Sequence, residues 1–181
     1  MRLLINQIFF FAALVLCSCE NDLKKVNIVT QSHNYPIQTA RNIELIYSDS
    51  AIVKARLNAP VSEEYESEDP YIVFPKGIKA IFFKEDLTAK TTLTANYAIN
   101  KKRKRIMEAR GNVVVVNEKG EKLNTEQLIW DENTQKVYTN EFVKITTADK
   151  VIFGQGMEAD QNFTKYKIFK IKGTVNINKD A

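Results

Sequence analysis

Apolar residues recur at every second position along much of this chain, and that period constrains the fold more than any other feature. The alternation is clear at 51–57 and 93–99, and again near the end at 169–177. A period of two indicates a strand with one buried face. Turn-forming residues separate such runs at 117–120, 131–134 and 160–163. The pattern predicts an all-β fold of antiparallel strands.

The strands repeat as well as alternate. Pairs of similar residues lie 29 positions apart: Val114 and Val143, Val116 and Ile145, Leu123 and Ile152, Leu128 and Met157, and Asp131 and Asp160. Each unit contains two or three short strands, which is the size of one layer in a stacked sheet. Stacked layers leave an edge strand at each end, and such an edge needs covering or pairs with another chain.

The N-terminus has the pattern of a secretion signal. A basic start, Met1-Arg2, precedes an apolar run at 3–16, which is shorter than the roughly 20 residues of a membrane span. The run ends in Leu16-Cys17-Ser18-Cys19, which resembles a bacterial lipobox, whose last cysteine is acylated after cleavage. We therefore expect a signal peptide at 1–18, a lipid on Cys19 and a tether at 19–37. The alternative is an ordinary signal peptide.

Composition argues against several classes of function. The formal net charge of +4 is too small to indicate a nucleic-acid partner, and most of the excess lies in one run, 101–105. A disulfide framework is excluded, because cleavage before Cys19 removes the second thiol, Cys17. His33 is the single histidine, so a catalytic triad would depend on it and a transition-metal site would need more ligands. We expect no catalytic residues, no metal site and no cofactor.

Three further motifs have a structural and a functional interpretation. The basic run 101–105 could contact lipid phosphates, but its position between two apolar segments favours a solvated hairpin turn. The acidic run 63–69 lacks the spacing of a calcium loop, which favours a mobile loop. Asp49-Ser50-Ala51 matches a short O-glycosylation acceptor that some bacteria use in the periplasm.

A set of short motifs, in this order and spacing, resembles a known family. From Glu108 to Val175 the chain contains Ala109-Arg110-Gly111-Asn112-Val113-Val114, Leu123-Asn124-Thr125-Glu126-Gln127-Leu128, Trp130-Asp131, Val137-Tyr138-Thr139, Gly154-Gln155-Gly156-Met157-Glu158-Ala159-Asp160 and Ile171-Lys172-Gly173-Thr174-Val175. These motifs are similar to those of LptC, the periplasmic component of the lipopolysaccharide export machine. The resemblance covers roughly Ile43 to Ile177. Many members of that family have an N-terminal transmembrane helix, where this chain has the lipobox.

The resemblance implies an open antiparallel β-jellyroll at 38–178, followed by a tail at 179–181. It implies a non-catalytic protein that receives lipopolysaccharide from an inner-membrane ABC exporter and passes it to an LptA-like bridge protein. The protein would face the periplasm, anchored through Cys19 to the inner membrane, with the outer membrane as the alternative. Apolar residues of one parity would line the lipid groove: Val53, Leu57, Leu93, Tyr97, Val114, Leu128, Trp130, Val143, Ile145, Phe169 and Ile171.

The last strand is the expected contact with the bridge protein. Phe169, Ile171, Val175 and Ile177 are predicted to face inward, and the partner edge comprises Thr174, Val175, Asn176 and Ile177. Two alternatives to the lipid conduit remain at this point. One is an envelope scaffold with a closed β core that assembles partners by edge-strand pairing. The other is a hydrolase that uses carboxylates, which would require paired acids in an internal groove.

Overall fold

The computed structural model describes residues 35–177 except 50, 161, 162 and 164. The predictions for the signal peptide, Cys19, His33, most of the tether and the C-terminal tail lie outside the described residues. Ser50 of the glycosylation motif also lies outside them. No helix in the described part of the chain is long and apolar enough to cross a membrane.

The described residues form eleven antiparallel strands and no helix, as the alternation predicted. The strands are β1 (Gln38–Asp49), β2 (Ile52–Tyr65), β3 (Tyr71–Phe74), β4 (Ile78–Phe83), β5 (Ala89–Ala95), β6 (Tyr97–Lys101), β7 (Ile106–Asn117), β8 (Lys122–Asp131), β9 (Lys136–Thr146), β10 (Lys150–Asp160) and β11 (Tyr166–Asn176). All eleven belong to a single sheet.

Four of the short strands act as two broken long ones. The long strand β2 pairs with β4 near its start and with β3 near its end. Likewise, β7 pairs with β6 near its start and with β5 near its end. Since β4 pairs with β5 and β3 with β6, each of the pairs β3–β4 and β5–β6 spans the sheet as one interrupted strand. The sheet edges are therefore β1 and β11.

A line of backbone irregularities crosses the sheet and divides each long strand into two halves. Gly77, Gly111, Asn112 and Gly156 have φ angles of 82°, 71°, 46° and 76°, a region that favours glycine and tolerates asparagine. Register shifts occur at the same level in the pairs β7–β8, β8–β9 and β9–β10. The sheet bends along this line, and its two halves pack on one apolar core. This architecture is the predicted open antiparallel β-jellyroll.

The core joins residues from both sides of the bend. On one side, a row of directly paired residues crosses seven strands: Leu57, Ala80, Leu93, Val115, Leu123, Ile145 and Ile152. Paired residues in neighbouring strands share a face, so the row forms a continuous apolar surface. Leu128, Val137 and Met157 from the other side belong to the same core cluster.

The repeat distance is 29 residues between β8 and β10, and 30 residues between β7 and β9. Leu123 and Ile152, which lie 29 apart, both pair with Ile145. By contrast, Val143 and Val113 both pair with Thr125, and they lie 30 apart. The difference arises because the turn before β10 is one residue shorter than the turn before β8. The alignment of Val114 with Val143 was therefore wrong, since a slip of one residue exchanges the faces of a strand.

Candidate functional site

The inner face of the jellyroll contains most of the predicted groove residues. Leu128, Val143 and Ile145 are buried in the core cluster. Three others pack against that cluster: Leu57, Leu93 and Trp130. Val53 is half-buried near the start of β2. The fold therefore brings residues from four strands, β2, β5, β8 and β9, together on one apolar surface. The sequence separates them by up to 88 positions (Leu57 to Ile145).

Three predicted groove residues face away from the interior, so this part of the prediction was wrong. Val114 lies between Val113 and Val115, which belong to the core. Tyr97 lies beside Ala98, whose exposure is 0 %. Phe169 is 51 % exposed, and its neighbour Ile168 packs against the core instead. A fourth predicted groove residue, Ile171, pairs with the inward Gly154 but is 65 % exposed because it lies on the edge strand.

The errors at Tyr97 and Phe169 have a common physical cause in the bend. Inward positions on either side of it are three residues apart in the broken strand β5–β6, from Ala95 to Ala98. The same step occurs in β11, from Ile168 to Ile171, as their pairing with the inward positions of β10 shows. Because a step of three reverses the parity, an alternation that is extended through the bend predicts the wrong face.

The interior is filled by its own side chains in this structure. Val113, Thr139 and Val143 have an exposure of 0 %, and Met157 has 1 %. A space of about 30 Å³ is lined by Met157, Leu123, Ile145 and Tyr166, among others, which is enough for about one water molecule. An acyl chain could enter only if the two halves separated.

Several buried polar atoms in or beside the core have no hydrogen-bond partner among the described residues. They are the hydroxyl oxygens of Thr91 and Thr125 and the indole nitrogen of Trp130. By contrast, the hydroxyl of the equally buried Thr139 accepts a hydrogen bond of 3.0 Å from the Glu141 N–H. Sequence reasoning missed the two threonines, because threonine at a strand position gives no signal of whether its hydroxyl is paired.

A buried carboxylate lies on the opposite face of the sheet. Glu108 is 5 % exposed and accepts hydrogen bonds from Arg110 Nε (2.6 Å) and from Gln127. Burial raises the pKa of Glu108, but the hydrogen bonds from Arg110 and Gln127 outweigh it, so that the pKa lies below its ordinary value. Within the described part of the chain, no three acidic, histidine or cysteine side chains are grouped as a metal site would require.

A family model described as lipopolysaccharide-assembly, LptC-related, matches residues 7–179. The chain belongs to the LptC family. Members of this family are non-catalytic components of lipopolysaccharide transport in the periplasmic envelope, and their partners are lipopolysaccharide and the Lpt transporter. A comparison with curated proteins found no match for the sequence.

The two charged runs of this LptC chain contact each other. The basic run lies in the β6–β7 turn, and Lys104 Nζ is 2.8 Å from Asp69 Oδ2. Lys102 forms a second ion pair, with Glu64. The prediction of a mobile loop at 63–69 was wrong for its first three residues, which belong to β2. Exposed ion pairs contribute about 0–1 kcal/mol each, so these contacts mainly position the two turns.

The last strand that the structure describes, β11, is one of the two edges of the sheet in this LptC chain. Its Val175 and Ile177 are 56 % and 41 % exposed, so the prediction that they face inward was wrong. Val175 pairs with Val151, on the outer face. The Ile177 N–H donates to the Asp149 carbonyl oxygen at 2.8 Å. Because N–H groups of successive strand residues point in opposite directions, the Asn176 N–H points away from β10, toward the open edge.

Proposed function

We propose that this LptC protein shelters the acyl chains of lipopolysaccharide between the two halves of its jellyroll. In this proposal it receives lipopolysaccharide from an inner-membrane ABC exporter and passes it to an LptA-like bridge protein. The observation that carries the proposal is the apolar row on the inner face, in a chain of the LptC family. Each buried methylene is worth about 0.8 kcal/mol, so acyl chains require such a surface to cross an aqueous compartment.

Loading requires the two halves to part, because the interior is packed. The bend is suited to this movement, since Gly111, Asn112 and Gly156 already have φ angles in the left-handed region. Glycine has a wide choice of backbone conformations, so a change of angle there strains the chain less than elsewhere. The halves would separate about this line, and the row from Leu57 to Ile152 would then contact the acyl chains.

Photo-crosslinking at neighbouring positions tests the proposal. A photo-reactive residue at Val113 or Val143, which are buried in the interior, is expected to capture lipopolysaccharide. The matched controls are Val114 and Lys144, the adjacent residues on the opposite face, which are expected to capture none. Equal capture on both faces would indicate adsorption to the surface and would overturn the proposal.

A closed scaffold is the second candidate, and the packed interior favours it. The exposure of 0 % at Val113 and Val143 is what a core that never opens would show. In that case neither face would capture lipid, and the protein would assemble envelope partners through its edge strands. Mass spectrometry of the purified full-length protein separates the two functions, because only a conduit is expected to retain glycolipid.

The anchor is a separate part of the proposal. We infer from the lipobox that acylated Cys19 holds the protein at the periplasmic face of the inner membrane. Cys19→Ala is expected to leave an unprocessed precursor or a protein released from the membrane. A Cys19→Ala protein that is cleaved after residue 18 and still fractionates with the membrane would contradict this anchor.

A further inference from the structure

A concave site lies where the sheet is interrupted. Pairing between β2 and β4 ends at Asn58, and pairing between β2 and β3 begins at Glu63. Residues 59–62 therefore lack a ladder partner on that side. One of them is Pro60, which has no N–H group to leave unpaired. The resulting depression has a volume of about 720 Å³ and is lined by residues of β1, β2, β4, β5 and the adjoining turns.

Cations and amides surround this depression. Its polar lining consists of two lysines and three asparagines: Lys76, Lys79, Asn42, Asn58 and Asn96. None of the described residues that line it carries a carboxylate. Neither lysine takes part in an ion pair among the residues that the structure describes. The site is therefore positively charged.

A nearby acid does not cancel this charge. Glu44 lies outside the lining and accepts a hydrogen bond of 3.1 Å from the Asn58 side chain. Its carboxylate is also 3.9 Å from the Arg56 guanidinium, which offsets its charge. The bond to Glu44 orients the Asn58 amide so that its oxygen remains as an acceptor for a ligand.

The backbone around the lysines is held in place. A Cβ atom at Gly77 would lie 2.4 Å from the Ala95 carbonyl oxygen. The turn that carries Lys76 therefore packs directly on the end of β5. The Asn96 N–H donates to the Gly111 carbonyl oxygen at 2.9 Å, which fixes the opposite side of the depression. A site whose backbone is already ordered loses less entropy when a ligand binds.

The apolar part of the lining belongs to the jellyroll. Ala59, Ile78 and Ala95 are members of the core cluster, and Ile43 packs against it. The depression therefore combines cations, amides and an apolar base. Ammonium groups bind phosphate as point charges, and amide groups both donate to and accept from sugar hydroxyls. An amphiphile with a phosphorylated sugar and acyl chains has this combination of groups.

We propose that this depression binds the phosphorylated sugar of a glycolipid headgroup. The proposal rests on the proposed function, since it takes lipopolysaccharide as the cargo and assigns its headgroup a position. The chemistry that the site recognises is a phosphate ester on a sugar. A free sugar phosphate, inorganic phosphate and an intact glycolipid all contain part of that chemistry, so the test must separate them.

The test is a ligand titration of the full chain in nonionic detergent micelles. NMR monitors the amide signals of Gly77 and Asn96 during the titration. Glucosamine 1-phosphate is expected to shift both signals at lower concentration than either inorganic phosphate or glucosamine. Lys76→Gln with Lys79→Gln is expected to weaken binding of the sugar phosphate about tenfold. The control is Lys144→Gln with Lys170→Gln, which removes the same charge from exposed strand positions elsewhere and is expected to leave the affinity unchanged.

Asn96→Asp adds a negative charge at an exposed position and is expected to weaken binding of the sugar phosphate without disturbing the fold. Equal affinity in the two double variants, or inorganic phosphate binding as tightly as the sugar phosphate, would overturn the proposal. Photo-capture of lipopolysaccharide at Val143 gives an independent readout of transport. Capture without sugar-phosphate binding would reject this site alone, whereas sugar-phosphate binding without capture would reject the transport function and retain the site.

Discussion

Two buried threonines show how much one hydroxyl partner contributes. Thr125 is 7 % exposed and its hydroxyl has no partner among the described residues, whereas the Thr139 hydroxyl accepts from Glu141. An unpaired buried polar group costs about 1–3 kcal/mol. We therefore expect Thr125→Val to raise the free energy of unfolding by about 1 kcal/mol and Thr139→Val to lower it by a similar amount. Urea unfolding measures both, and equal destabilisation by the two changes would show that the Thr125 hydroxyl is paired.

Glu108 makes the stability of the domain depend on pH. Its pKa in the folded protein lies below the ordinary value of 4.5, so the folded state favours the ionised form. The stabilisation is therefore fully present above pH 4.5 and is lost as the pH falls through the lowered pKa. Glu108→Gln is expected to make the free energy of unfolding fall less steeply as the pH drops below 4.5. An unchanged pH profile would assign the decline to other carboxylates.

Single residues were predicted best where the local pattern was uninterrupted. Leu128 alternates with Trp130 within one half of β8, and Val143 alternates with Ile145 within one half of β9. The sequence placed all four on the inner face. Val114 was misplaced, because the repeat contains a turn that is one residue shorter than its equivalent. Glu108 could not be predicted as buried. Arg110 lies two positions along the same strand, but Gln127 is brought to Glu108 only by the register of β7 against β8.

At the level of elements, the strands were predictable and their faces only in part. Alternation identifies a strand because it depends on two neighbouring residues. The bend interrupts it with steps of three residues in β8, from Thr125 to Leu128, and of four in β7, from Ala109 to Val113. The ion pairs between the charged runs join residues 35 and 38 positions apart, Asp69 with Lys104 and Glu64 with Lys102. Such pairing depends on sheet order, which no local pattern contains.

The edge strand β11 leads to a prediction about the bridge protein. Because the Asn176 N–H points away from β10, Asn176→Pro removes a donor from the open edge and leaves the ladder to β10 in place. It is expected to abolish co-purification of the bridge protein while the domain stays folded by circular dichroism.

The control for this change is Asn176→Ala, which also removes the side chain but keeps the N–H. It is expected to retain the bridge protein. If both variants retain it, the contact lies elsewhere, and the N-terminal strand around Ile43 becomes the next segment to change.

At the level of the whole molecule, a conduit and a closed scaffold respond differently to a cavity. Met157 is 1 % exposed, and Met157→Ala is expected to lower the free energy of unfolding by about 2–5 kcal/mol. In a conduit, lipopolysaccharide would occupy the enlarged interior and restore part of that loss, which thermal unfolding with and without the lipid measures. Val175→Ala, at an exposed edge position, is the control and is expected to change stability by less than about 0.5 kcal/mol. No recovery with lipid would favour the scaffold.

The two edges of the sheet differ in composition, and this difference has a consequence for assembly. β11 presents three exposed lysines, at 167, 170 and 172, beside the apolar Phe169, Ile171 and Val175. β1 presents one exposed cation, Arg41, with Glu44 and the apolar Leu45, Ile46 and Tyr47. Lysine on an edge strand disfavours pairing with a second copy of that edge. Contacts between unlike edges are heterologous. When successive copies are related by a translation and not by a rotation that closes, they form an open row instead of a closed ring. A sheet extended in this way has a direction, because the free edge at one end is chemically different from the free edge at the other.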